Sequence, residues 1–356
     1  MKPGLFAAAV LAAIASLAIH VALNCPIDPV QSPPAPTSHY PRNNLLQRLE
    51  KLGEGLLNGP EDVYVDAAAG GVVYTATRDG WVHRMNPYNR SWERWRFVGG
   101  TGLLGIAKCA DGSMLICDAH NKGLLRVGEE AVTLLAASEV EGSTINLPDA
   151  VVEASDGTVY FSDASTRFGF DTWFLDFIES RPTGRLLKYD PRTGETSVML
   201  DHLGFANGVA LPLDEAFVVV CESARFRCMK VWLKGEKAGQ SETFIDNLPG
   251  CPDNIRLGSD GYFWIALVQL RSPWLDLITR WSLTKRVLAS FPTLLEWSKA
   301  TTKGAMVAQV SEDGNIIRAL DDSEGKVINF VTSVMEHNGD IFLGSPKANF
   351  VGKLSL

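Results

Sequence analysis

Hydrophobic positions fall into two patterns along this chain. Residues 5–23 are an almost unbroken run of Ala, Leu, Ile and Val, and no Asp, Glu, Lys or Arg stands between Lys2 and Asp28. Such a run predicts a helix of bilayer-spanning length. From residue 57 onward, short β-type runs alternate with Asp-Gly or similar turns, which is the pattern of successive hairpins. Aligned on those turns, the runs become copies of one unit: LPDAVVEASDGTVYFSDAS from Leu147, FANGVALPLDEAFVVVCES from Phe205 and CPDNIRLGSDGYFWIAL from Cys251. Weaker copies begin at Gly59, Leu103 and Val331. Six copies over about 300 residues give about 50 per unit, the size of a four-stranded propeller blade. The pattern therefore predicts an all-β fold: one six-bladed β-propeller over residues 43–356, an N-terminal membrane-anchor helix over residues 1–24, and helical lid insertions between strands.

Between helix and propeller, residues 25–42 hold six prolines, which predicts an extended spacer. The length of the apolar run favours an uncleaved signal anchor over a cleaved signal peptide, and either reading sends the chain into the secretory pathway. The expected location is the lumen of the endoplasmic reticulum or of another endomembrane or vacuole. The sequon Asn89-Arg90-Ser91 suits glycosylation there. Six cysteines are too few for a disulfide scaffold, and Cys221 and Cys228, flanking a short turn-like stretch, are the best candidates for a bridge, the alternative being two buried thiols. With 33 basic against 41 acidic side chains, a formal charge of -8 and no basic stripe, the chain is not built for nucleic acid.

A repeat allows one position to be followed from blade to blade. Seven residues before the turn Asp, the well-aligned copies carry Asp149, Asn207 and Asp253, and the first blade has Glu61 at the equivalent place. These oxygen-bearing side chains start inner strands, and in a propeller those starts converge on the central channel. Three carboxylates and an amide gathered there need a cation, and a ligand set of oxygens without His or Cys selects a hard ion, with calcium the natural candidate. Read one at a time, each residue also fits a strand-start cap. Asn254 adds a further carbonyl, and Asp62 is placed to support the ligands from behind.

Taken together, GPEDV, LPDAVVEASDGTVYFSD, FANGVALPLDEAFVVVCES, GCPDNIRLGSDGYFWIA and EHNGDIFLGS resemble the strictosidine synthase-like family, which includes the adipocyte plasma membrane-associated proteins. The resemblance runs from about residue 49 to the carboxyl terminus. More distantly, the chain is similar to the paraoxonases and related lactonases, which implies a six-bladed propeller with a central calcium held at Glu61, Asn207, Asp253 and Asn254. Where that pattern has Asn, this chain has Asp149, and the family Asp that usually follows is Ala150. Strictosidine synthase itself, an amine–aldehyde condensing enzyme, carries a catalytic Glu upstream of the last-blade turn. Here the stretch from Asn329 to Met335 holds no carboxylate, which argues against that condensation.

The resemblance also gives His120 a role. It ends the run SMLICDAH and matches in position a paraoxonase His credited as general base, a role that suits an imidazole near neutral pH. Two insertions interrupt the blades. Residues 167–181 are aromatic-rich, with Phe170 and Trp173, and residues 267–306 carry Trp274 and Trp281 at helical spacing beside an excess of basic residues. Their expected place is over the channel mouth, against a membrane, or packed on the propeller rim. The expected activity is calcium-dependent hydrolysis of a small apolar ester, lactone or alkaloid-like molecule. The rival reading is a calcium-stabilised binding scaffold without catalysis.

Overall fold

The computed structural model describes residues 3–32, 37–38, 40–136, 139–268, 277, 279–300 and 303–356, and these fall into two compact units. The larger unit (residues 36–173, 182–270 and 303–356) is a six-bladed β-propeller of four-stranded antiparallel sheets. Blade one is built from Val63–Asp66, Val72–Ala76, Trp81–Met85 and Trp92–Phe97, and blade two from Leu103–Lys108, Met114–Asp118, Gly123–Val127 and Val132–Ala136. Blades three, four and five begin with the inner strands Pro148–Glu153, Ala206–Ala210 and Cys251–Leu257. Blade six takes Ser333–His337, Asp340–Gly344 and Val351–Ser355 from the end of the chain and borrows Glu50–Leu52 from the start as its outer edge. Three residue pairs, Glu50 with Lys353, Lys51 with Gly352 and Leu52 with Val351, thus close the ring without a covalent link.

Burial follows position in the blade. The second strands of blades two to five, such as Met114–Asp118 and Phe217–Glu222, are buried along their whole length, whereas Trp92–Phe97 at an outer edge is half-buried or exposed throughout. This explains the near-continuous apolar runs of VVVC and LIC. Strands covered on both faces need no polar alternation. Between blades the apolar layers are continuous, as where Phe217 and Phe244 of blade four pack with Phe263 and Ile265 of blade five. The Asp-Gly turns work as their composition requires: Gly157 and Gly261 take φ of +83° and +82°, and Asp156 Oδ1 accepts the Thr158 N–H.

One irregularity recurs and matters for function. In blades two to five the ladder between the first and second strands is broken at the same place, between Leu103 and Ile106, Pro148 and Val151, Ala206 and Val209, and Pro252 and Ile255. Bulges of this kind re-aim side chains. The residues they free are Asp149, Asn207 and Asp253.

The smaller unit gathers residues 1–35, 174–181 and 271–302. Helix α1 (Pro3–Asn24) is long and apolar enough to cross a membrane and is almost wholly exposed. Helix α2 spans Trp173–Glu179, α3 Ser282–Ala289 and α4 Pro292–Ala300. Near the end of α1, His20 stacks on Phe291 at 4.5 Å and its Nε2 lies 3.1 Å from the Ser290 carbonyl. The first part of the proline-rich segment is docked here: the Asp28 N–H donates to Glu179 Oε1, and Lys285 Nζ donates to the Val30 carbonyl and to Ser180 Oγ. Burial pulls the Lys285 amine down to about 8, against the opposing pull of Glu179. This lysine, one of the basic residues of the 267–306 insertion, is buried. Trp274 lies outside the described residues, while Trp281 is exposed beside Leu283.

Candidate functional site

The bulged inner strands bring their backbones so close that side chains are excluded at key points. A Cβ on Gly208 would lie 2.2 Å from the Asp253 carbonyl oxygen, one on Gly105 2.5 Å from that of Asp149, and one on Gly344 2.5 Å from that of Glu61. Glycine at these positions lets neighbouring blades converge. Further stitches complete the ring: the Asn254 N–H donates to the Thr332 carbonyl, and Thr332 Oγ1 donates to the Glu61 carbonyl at 2.7 Å.

On this ring Glu61, Asp149 and Asp253 lie within electrostatic reach of one another, and the Asn207 side chain stands close enough to Asp253 to favour its charged form. Burial pushes the Glu61 carboxyl up to about 8, with Asp149 and Asp62 adding to the rise and Arg78 opposing it. Asp149 is pushed up to about 7, again by burial first. Asp253 is driven well above the ordinary carboxylate range by burial and by the charges of Glu61, Asp149 and Asp62. Three carboxylates in this state ionise together only if positive charge joins them.

Three shielded oxygens face no hydrogen-bond donor: Glu61 Oε2, Asn207 Oδ1 and Asp253 Oδ1. Orphaned buried acceptors on carboxylates and an amide are what a hard cation takes as ligands, so the residues present fit calcium. Asn254, also buried, has its Nδ2 without a partner. Among the described residues, no three His, Cys, Asp or Glu side chains form a metal cage by themselves. The fit therefore depends on the amides as well as the acids.

Several members of the site carried no signal in the repeat. Arg78, in the loop after the second strand of blade one, faces Glu61, Asp149 and Asp253, and its guanidinium lies 4.9 Å from the centre of the Phe170 ring. Asp62 does not join the cluster but accepts the Ile106 N–H at 2.8 Å and pairs with Arg256, which also donates to the Ile106 carbonyl. This pair of a buried carboxylate and a half-buried guanidinium ties blade five to blades one and two. Asp118, Asp163 and Glu222, at the ends of second strands, latch the neighbouring loops: Asp118 accepts the His120 and Asn121 N–H groups, Asp163 those of Asn146 and Leu147, and Glu222 that of Gly204.

His120 follows Asp118, which pairs with Leu103, so the imidazole stands at the end of the propeller where the inner strands start. It is exposed, and its ring has no hydrogen-bond partner among the described residues. Above the same end, Trp173 meets Phe205 and Phe330 edge to face, each at 6.3 Å. Both phenylalanines adopt left-handed backbone, with φ of +60° and +54°, a conformation bulky residues rarely hold. Toward the same end of blade four, Cys221 and Cys228 sit opposite each other on adjacent strands and form a disulfide. Asn89 is exposed in the turn between the outer strands of blade one.

A family model described as Strictosidine synthase matches residues 149–236, and one described as Strictosidine synthase-like, N-terminal, matches residues 39–85. Protein STRICTOSIDINE SYNTHASE-LIKE 4 of Arabidopsis thaliana is 35% identical over 334 residues, covering 90% of this chain and 86% of that protein. The adipocyte plasma membrane-associated protein of Bos taurus is 34% identical, covering 94% of this chain and 86% of that protein. Among solved structures, a gluconolactonase from Xanthomonas campestris aligns with a TM-score of 0.60 at 15% identity, over 93% of this chain and 98% of that one. The calcium-binding protein regucalcin from Agrobacterium tumefaciens aligns with a TM-score of 0.55 at 14% identity, over 85% of this chain and 92% of that one. At such identities the structural likeness speaks for the fold alone.

Proposed function

The chain belongs to the strictosidine synthase-like family, and from that premise we propose that it is a calcium-dependent hydrolase of small apolar esters or lactones. The observation that carries the proposal is the set of orphaned oxygens of Glu61, Asn207 and Asp253 where the inner strands begin, at the end of the propeller that also holds the packed rings of Trp173, Phe205 and Phe330. Glu61, Asp149, Asn207, Asp253 and Asn254 hold the ion. When bound, calcium supplies Lewis acidity toward a carbonyl oxygen. The half-buried rings of Trp173 and Phe330, backed by buried Phe205, take the apolar body of the substrate. His120 accepts the proton of the attacking water. A gluconolactonase and a calcium-binding protein share this fold, so the scaffold itself is compatible with the reading.

The test is hydrolysis of an aryl-ester and lactone panel by the purified full chain, with and without chelation and with His120→Ala. Turnover abolished by chelation and lowered about 100-fold or more in the variant is the expected result. Activity untouched by both would remove the proposal.

One observation favours a second reading, a binding scaffold in which calcium is structural: the exposed His120 ring is not oriented by any described group, whereas a working base is commonly held by a partner. Calcium binding that raises stability while no substrate is turned over would establish it. For location, we propose that α1 remains as a membrane anchor, with the propeller in the lumen of the endoplasmic reticulum or another endomembrane. Exposed Trp281 and Leu283 suit contact with the same bilayer. A glycan on Asn89, removed by Asn89→Gln, is the readout of that topology.

A further inference from the structure

The channel mouth carries two cations that lack an acidic partner within ion-pair distance among the described residues. Arg78 lies over Phe170, and of the five N–H donors of its guanidinium only one reaches a described acceptor, the Thr101 carbonyl at 3.4 Å. Lys347 Nζ lies 4.7 Å from the centre of the Phe330 ring. The two belong to one rim. A Cβ on Gly59 would sit 2.8 Å from both Arg78 Cγ and the Pro346 carbonyl oxygen, so the Arg78 stem runs beside the segment that bears Lys347. Trp173, three residues beyond Phe170 in the chain, packs edge to face on Phe330, the ring under Lys347.

This arrangement has a definite charge preference. The three carboxylates below would repel an anion on their own, but a divalent ion among them leaves the mouth, with Arg78 and Lys347, net positive. A planar guanidinium with unused donors matches a carboxylate in shape as well as charge. The half-buried rings of Trp173 and Phe330 offer apolar surface beside these cations to a flat apolar body. An amine would meet two cations and an ion. A neutral ligand would leave the rim donors to water.

We propose that the mouth selects small ligands with a flat apolar body and a single carboxylate, seated between Arg78 and Lys347. The inference rests on the reading above in that the ligand enters the same channel with the ion in place, and it specifies the substrate class: esters or lactones that also bear a free carboxylate.

The experiment is calorimetric titration of the full chain, in detergent with calcium, using phenylacetate, methyl phenylacetate and phenethylamine. Phenylacetate should bind about tenfold or more tightly than phenethylamine, and Lys347→Met and Arg78→Met should each weaken phenylacetate about tenfold while changing methyl phenylacetate less than about twofold. Equal or tighter binding of the amine, or phenylacetate affinity unchanged in Lys347→Met, would overturn the proposal. Lys347 is exposed, so that variant remains informative even if Arg78→Met, which faces three carboxylates, fails to fold. Hydrolysis of an uncharged aryl ester on the same samples separates the two ideas. Turnover without carboxylate binding removes this inference alone, and carboxylate binding without turnover removes only the hydrolase reading.

Discussion

Stripping divalent ions from the full chain will make its stability fall as the pH rises from about 5 to about 8, the reverse of what the surface carboxylates would produce. The folded-state value of Glu61 is raised from 4.5 to about 8 and that of Asp149 from 3.8 to about 7. In that window the native state holds protons that the unfolded chain has released. The stability associated with the protonated cluster is therefore fully present below the unfolded values and is lost as pH climbs through the folded ones. For Glu61 alone a shift of this size corresponds to at most about 5 kcal/mol, taking about 1.4 kcal/mol per pH unit. Carboxylates held low by their partners, such as Asp190 at about 2, finish titrating below the window and do not mask the effect. Urea unfolding followed by tryptophan fluorescence, in chelator at a series of pH values, measures the slope. Glu61→Gln should flatten it, and added calcium should restore stability most at the alkaline end, where the ligands are ionised. A chelated chain whose stability is level or rises between pH 5 and 8, or a Glu61→Gln variant with the same slope, would refute the reasoning.

Three substitutions probe the frame around the cluster. Gly208→Ala forces a methyl to 2.2 Å from the Asp253 carbonyl oxygen and 2.6 Å from the Ile255 nitrogen, backbone that cannot swing aside, and should cost about 1–3 kcal/mol in urea unfolding while weakening calcium binding. Arg256→Met strands the buried Asp62 charge and should cost about 3–5 kcal/mol, much of it regained when Asp62→Asn is added; no recovery in the double variant would show that the ion pair is not the cause. Replacing Cys221 and Cys228 with Ser removes a constraint between residues seven apart and should cost about 2 kcal/mol, measured against the oxidised chain under the same conditions.

The fold was legible because the turn that closes each hairpin is chemically conspicuous and recurs in register, so strand pairing could be counted from Asp-Gly and its variants alone. The acidic cluster was legible for the same reason: Asp149, Asn207 and Asp253 keep one offset from that turn, and the offset falls in the bulge of the inner strand. Arg78, Phe205, Phe330 and Lys347 stand in loops outside the repeat, where no copy in another blade marks them. The Asp62–Arg256 pair joins residues 194 apart through the closure of the ring, a distance at which local pattern carries no information. Asp118, Asp163 and Glu222 were visible as the acid closing CDAH, FSDAS and CES, but their latching role depends on loops whose path the strands alone do not determine. Among the described residues of 25–42 no helix or strand forms, as the prolines lead one to expect, yet the prolines say nothing about docking. Lys285 and Glu179 supply that contact through side chains far along the chain.

The central claim is that Glu61, Asp149, Asn207 and Asp253 form a cation site, and elemental analysis of the purified full chain tests it most directly. About one calcium per chain is expected in the native protein, lost in both Asp253→Ala and Asn207→Ala while each variant remains folded by circular dichroism. No bound metal in the native chain, or calcium retained in both variants, would mean that these side chains only cap the starts of inner strands.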